Sequence, residues 1–194
     1  MILLRHVLER CCVFVVKMPA CIPDGDIRLR TLKFSDGPFV GDMLRDEEIV
    51  RSCGPGTRES SSWFFEWWWI KKTFTLAYCI ECSSRTIGFI GVHDLTPGRS
   101  AALSLVISDK AMRRRGYGRR AFELLSERMQ RCSVAKEVSV KVRSDNRGAL
   151  SFWKTLGFSE TKAVAGPVIM LRKIFIHSLA KGGKRRDNDI KRPV

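Results

Sequence analysis

The densest cluster of chemistry-bearing residues in the chain is Arg113-Arg114-Arg115-Gly116-Tyr117-Gly118. Upstream, Ala101 to Ile107 is apolar apart from Ser104, the pattern of a buried strand. Downstream, Ala121, Phe122, Leu125 and Met129 recur at helical spacing, while Arg119, Glu123, Glu127 and Gln130 take the opposite face. Arg113, Arg114, Arg115, Arg119 and Arg120 therefore crowd the first turn of a helix. The unpaired N–H groups there are already partly positive, so this is the less favourable end for arginine. A bound anion resolves the conflict, because N–H groups that glycine leaves accessible can cradle a pyrophosphate beside the guanidinium groups. The alternative is a solvated basic helix face. No Gly-Lys-Ser/Thr follows, and Ala121 stands where a dinucleotide-binding fingerprint carries its third glycine.

A second motif, Asn146-Arg147-Gly148-Ala149-Leu150-Ser151-Phe152-Trp153-Lys154-Thr155-Leu156-Gly157-Phe158, follows an alternating strand around Val138, Val140 and Val142. Asn146 suits a helix N-cap and Gly157 the left-handed residue that ends a helix. Between them Ala149, Phe152, Trp153 and Leu156 make one apolar stripe. The two motifs, in this order and about thirty residues apart, resemble those of the GNAT N-acetyltransferase superfamily. Asp26 to Leu32, Thr86 to Asp94 and Ile107 to Lys110 are similar to the RimJ/RimL-type branch, and the resemblance covers residues 26–173.

The resemblance implies an α/β (α+β) fold, a mixed and mostly antiparallel sheet with a splayed strand pair, flanked by helices. It implies acetyl-CoA as cosubstrate. Val106, Ile107 and Ser108 would meet the pantetheine, with one backbone N–H polarising the acetyl carbonyl. Arg113, Arg114, Arg115, Gly116, Tyr117, Gly118 and Arg119 would hold the phosphates, and Asn146 and Trp153 complete the cofactor side. An amine, either a peptide N-terminus or a small amino compound, would attack directly, without a covalent enzyme intermediate.

Here the chain departs from the family pattern. Trp153 replaces the tyrosine often used to protonate the thiolate, and indole is not a useful acid near neutral pH. Ala101 to Ile107 offers no carboxylate base, which leaves His93, Asp94 and Asp109, or water. The structural alternatives are a loop-capping pair for His93-Asp94 and a turn residue for Asp109. Deprotonating a lysine-like amine at neutral pH costs roughly 4.6 kcal/mol, but an α-amine only about 1 kcal/mol. A site without an obvious base thus favours protein N-termini or amino-acid-like acceptors over polyamines. The competing class is a non-catalytic acyl-CoA-binding or ribosome-associated protein on the same scaffold.

Composition fits one α/β domain: 194 residues with 44% hydrophobic content can bury a core. The net charge of +15 is high for an enzyme of small molecules, and it disfavours polycations at long range. Part of it lies in the tail Lys181 to Val194, read either as a solubilising tail or as a docking segment for an acidic partner or the ribosome. Seven cysteines, an odd number, argue against a disulfide framework and for a reducing, cytoplasmic setting. Cys79-x-x-Cys82 lies in an apparent strand, where residues three apart face opposite ways, and no metal site is expected.

Residues 1–25 read as a helical or strand-like extension packed on the domain, 26–173 as the GNAT N-acetyltransferase domain that the resemblance implies, and 174–194 as a basic, disordered tail. Charges interrupt the apolar N-terminus before a membrane span could form. Ser60 to Lys72 reads as an aromatic-rich helix whose stripe is core or borders the acceptor entrance. The oligomeric state is open.

Overall fold

The computed structural model describes residues 18–53, 76–161 and 167–175. Strands β1 (Cys21–Asp24) and β2 (Ile27–Thr31) form a hairpin turned by Gly25, whose φ of 60° suits glycine. Helices α1 (Gly37–Arg45) and α2 (Glu47–Cys53) follow. The break between them is Asp46, which is extended, and its carboxylate accepts from the Glu48 and Ile49 amides at 2.9 and 3.3 Å. One residue both ends α1 and caps α2.

Strands β3 (Leu76–Cys82) and β4 (Arg85–Thr96) pair through a two-residue turn, Ser83-Ser84, with φ of 47° and 68°. Then come β5 (Ser100–Ile107), α3 (Tyr117–Arg131), β6 (Glu137–Arg143), α4 (Arg147–Thr155), β7 (Ser159–Glu160) and β8 (Val168–Ile174). The strands order as β1-β2-β3-β4-β5-β6-β8-β7. Every neighbouring pair is antiparallel except β5 with β6.

This mixed, mostly antiparallel sheet carries apolar clusters on both faces. The larger includes Ile80, Ile90, Leu103 and Val140 under Phe122, Leu125 and Met129 of α3 and Trp153 of α4. On the opposite face Cys79, Phe89 and Val106 lie under Val40 and Met43 of α1 and Ile49 of α2. Cys79 and Cys82 thus fall on opposite faces, and burial pushes the Cys79 thiol up to about 12.

An ionic staple fixes the second layer to the sheet. Arg30 on β2 reaches both carboxylate oxygens of Asp36 at 2.9 Å and Glu81 on β3 at 2.8 Å. Arg28 closes the other side of Glu81. Asp36 ends the short 3₁₀ turn Phe34–Asp36 that leads into α1, so the staple sets where α1 and α2 start.

The sheet begins earlier than the resemblance suggested. β1 lies within residues 1–25 yet pairs fully with β2, and Ile22 is buried in the large cluster. The apolar Ile22 between exposed neighbours is the short signal for that edge strand. The aromatic stretch Ser60 to Lys72, residues 1–17 and the tail Lys181 to Val194 lie outside the described residues. Among the described residues no group of His, Cys, Asp and Glu is placed to hold a metal, and no helix is long and apolar enough to cross a membrane.

Candidate active site

The site starts where β5 and β6 part. They share only the pairs Ser100 with Glu137, Ala101 with Val138 and Ala102 with Ser139. Beyond Ala102, β5 stays with β4 up to Ile107, and β6 stays with β8 up to Arg143. A V-shaped gap therefore opens between parallel strands, and α2 packs against both of them.

The backbone of β5 decides what faces the gap. A Cβ on Gly88 would meet the Val106 carbonyl at 2.3 Å, so that carbonyl is aimed at β4 and position 88 has no room for a side chain. By the alternation of strand backbones, the amides of Leu105 and Ile107 then face the gap. Ser108 is committed elsewhere, since its amide and hydroxyl both donate to the Ile87 carbonyl, at 3.0 and 3.2 Å. Of the three residues expected to meet pantetheine, Val106 and Ser108 point their amides at β4 and Ile107 supplies the gap-facing one.

At the mouth of the V the chain turns back through Asp109 and the 3₁₀ turn Lys110–Met112 into the arginine loop. Asp109 caps that turn, accepting from the Ala111 amide at 3.0 Å, and pairs with Arg85 at 2.8 Å. Its carboxylate serves the turn, the structural role weighed for it above.

Arg114 and Gly116 both adopt positive φ, 60° and 85°, which swings the loop into the first turn of α3. No side chain caps that N-terminus and no acidic residue lies in its first turn. The amides of Tyr117, Gly118 and Arg119 are therefore left for an external acceptor.

The five arginines divide their work. Arg113 donates to the Ile107 carbonyl at 2.8 Å and to Glu48 of α2 at 2.6 Å, a strut between strand end, loop and helix. Arg119 pairs with Glu123 at 3.7 Å and reaches the Thr155 hydroxyl at 3.1 Å. Arg120 is held by Asp24 and Asp26, at 3.0 and 2.7 Å. Arg114 and Arg115 are exposed, and among the described residues neither makes an ion pair. Two arginines without an ion-pair partner among the described residues thus flank an uncapped helix N-terminus, where positive potential accumulates.

The other loop residues orient the helix. The Tyr117 hydroxyl accepts from the Cys82 thiol at 3.3 Å, tying the helix start to β3. At Gly118 an added Cβ would make ordinary van der Waals contacts, 3.4 Å from Leu105 and 3.5 Å from the Phe152 ring, which places the start of α3 beside β5 and α4. Asn146 caps α4, accepting from the Ala149 amide at 3.0 Å, and Gly157 ends the following turn at φ 84°. Trp153 is 5% exposed and sits among Phe122, Phe152 and Phe158, with ring centroids 4.9 to 5.7 Å apart.

His93 lies on the α1–α2 face of the sheet, sharing that side of β4 with Phe89. Its Nε2 is 3.0 Å from the Ser104 hydroxyl, and its Nδ1 is 3.6 Å from the Asp94 carboxylate. Asp94 has φ 48°, at an irregularity of the β4–β5 register. Ser104 was not among the expected site residues. Its signal was a single hydroxyl inside an otherwise apolar strand.

A mixed sheet thus splays between two parallel strands, and an uncapped helix N-terminus follows the first of them. The sequence model of the acetyltransferase (GNAT) family matches residues 40–158, and the chain belongs to this family. An uncharacterised N-acetyltransferase of Methanocaldococcus jannaschii is 26% identical over 121 residues, 58% of this chain and 51% of that protein. The chain thus spans about half the length of that curated relative.

Among solved structures, a domain from M. jannaschii matches with TM-score 0.68 and 15% identity, covering 77% of this chain and 98% of that one. The Salmonella typhimurium acetyltransferase that modifies the N-terminal serine of ribosomal protein L7/L12 matches with TM-score 0.66 and 16% identity, covering 80% and 99%. Spermidine N-acetyltransferase from Vibrio cholerae, in complex with CoA and spermine, matches with TM-score 0.66 and 16% identity, covering 78% and 96%. These likenesses establish the fold.

Proposed function

We propose that this protein is an acetyl-CoA-dependent N-acetyltransferase of the RimJ/RimL type, acting on an α-amine of a peptide N-terminus or a small amino compound. The observation that carries this reading is the parting of β5 and β6 beyond Ala102 and Ser139, followed in the chain by an uncapped helix N-terminus beside two arginines that make no ion pair among the described residues. The amides of Tyr117, Gly118 and Arg119 take the pyrophosphate oxygens, and Arg114 and Arg115 supply the countercharge. Arg113 positions the loop. Pantetheine extends along the open edge of β5, where the Leu105 and Ile107 amides bind it and polarise the thioester carbonyl. The α-amine preference is supported by its lower deprotonation cost, about 1 kcal/mol at neutral pH, and by the net charge of +15, which repels polyamines.

An amine panel including ribosomal-protein N-terminal peptides, amino acids and polyamines, read by thiol release from acetyl-CoA, tests the reaction and the acceptor together. Binding of acetyl-CoA without turnover on any amine would replace this reading by a non-catalytic acyl-CoA-binding protein.

The cradle has its own test in Gly116→Asp. The position holds φ 85° with nothing near an added Cβ, so the substitution strains the backbone without a clash. A carboxylate there even favours the helix N-terminus, so the fold should survive. The same charge repels a pyrophosphate, and acetyl-CoA affinity should fall at least about tenfold. Gly116→Asn, with the strain and no charge, should bind close to wild type. Calorimetric affinities that are equal for wild type and Gly116→Asp would remove the cradle.

A further inference from the structure

We propose that Ser104 and His93 form a proton relay that deprotonates the acceptor amine, with Ser104 as the group that touches it. This rests on the acetyltransferase reading. Ser104 lies on β5 two residues beyond Ala102, the last residue paired to β6, and so stands at the start of the gap. His93 lies one strand further back, on β4, level with Ala102. Both side chains share the α1–α2 face, and their 3.0 Å hydrogen bond joins the gap to the imidazole. Ser104 is on β5, the strand that borders the gap, whereas His93 is one strand removed from it on β4. In the tautomer that accepts from Ser104, Nε2 is the bare nitrogen and the Nδ1–H faces Asp94 at 3.6 Å.

The step balances as follows. The ammonium passes a proton to Ser104 Oγ while the Ser104 hydroxyl proton passes to His93 Nε2. The freed lone pair forms the C–N bond to the acetyl carbon, and the C–S bond breaks. The departing thiolate takes the second amine proton, and the imidazolium later releases its proton to water. Serine remains unacylated throughout. The lone hydroxyl inside the apolar run Ala101 to Ile107 gains a reason to be there.

The test uses Ser104→Ala, Ser104→Thr and His93→Gln, with acetyl-CoA and two acceptors that differ in amine pKa by about two units. Ser104→Ala should lower kcat about 100-fold, with little change in acceptor KM or acetyl-CoA affinity. Ser104→Thr, which keeps the hydroxyl, should recover most of the rate. His93→Gln keeps a hydrogen bond to Ser104 without the base, and should fall as far as Ser104→Ala. The double variant should be no slower than either single one, because the two groups act as a unit. The loss should be larger for the more basic amine, a dependence that a structural role would not produce.

Ser104→Ala and His93→Gln both within threefold of wild type, or losses equal for the two amines, would overturn the relay. Wild-type protein silent towards every amine would instead overturn the acetyltransferase reading beneath it, so the two failures are distinguishable.

Discussion

Arg30→Met is expected to remove about 3–5 kcal/mol of stability at neutral pH, and distinctly less in acid. Arg30 is the hub of the staple between β2, β3 and the turn into α1. Its Nε meets Glu81, its two terminal nitrogens grip Asp36, and one of them also donates to the Thr31 carbonyl at 2.9 Å. Methionine can fill the volume but leaves the Asp36 carboxylate buried with the Lys33 amide, 2.6 Å away, and the weaker Cys79 thiol as support. Glu81 keeps Arg28, so Asp36 is the group that suffers most.

The direction with pH follows from the two carboxylates. Burial alone would raise both, but the hydrogen bonds from Arg30 to Asp36, and from Arg28 and Arg30 to Glu81, outweigh it and hold both below their ordinary values. A carboxylate lowered in the folded state contributes stability above its unfolded value, near pH 4, and that contribution is lost as pH falls through the folded value. In Arg30→Met, burial wins at Asp36 and its sign reverses, so protonation then favours the fold. The difference between wild type and variant should therefore narrow from pH 7 to pH 3. Urea unfolding followed by circular dichroism at both values checks this. A difference below about 1 kcal/mol at pH 7, or one that does not change with pH, would show that the staple contributes no more than a surface pair.

This staple was illegible in the chain, although its parts were in view. Arg28 and Arg30 alternate with buried Ile27 and Leu29 on β2, which reads as a half-exposed strand with a wet face. Only the register that sets Arg30 against Cys79 and Arg28 against Glu81 shows that the wet face is covered by another layer. Local periodicity reports a strand's own alternation and is silent about what packs on it. The local structure of the arginine and Asn146 motifs was legible because their signals are local: a glycine at positive φ, a cap at Asn146, a stripe on one helix. The division of the five arginines was not, since Glu48, Asp24 and Asp26 come from elements 65, 96 and 94 residues away in the chain. Ser104 fell between these cases. Its hydroxyl stood out in an apolar strand, but its partner His93 is defined by cross-strand pairing.

Trp153 carries the second large effect, and it separates packing from chemistry at one position. The sequence motif puts it where a tyrosine often protonates the leaving thiolate. In the fold its indole lies edge-on to Phe122 at 5.7 Å and close to Phe158 at 4.9 Å, 5% exposed. Trp153→Ala should therefore cost about 3–5 kcal/mol through loss of contacts and the cavity left behind. Trp153→Tyr is the informative change. It removes part of the ring and brings a phenol into an aromatic cluster that offers the hydroxyl no acceptor among Phe122, Phe152 and Phe158, so about 1–3 kcal/mol should be lost. If the thiol end of the substrate lay within reach of that hydroxyl, the phenol would both find a partner and donate where indole cannot, and turnover would rise. The packing argues for the opposite: lower stability, with kcat unchanged or reduced. Thermal unfolding measured beside steady-state kinetics resolves the two. A several-fold gain in kcat at unchanged acceptor KM would show that position 153 faces the thiolate and that the native enzyme works without its acid.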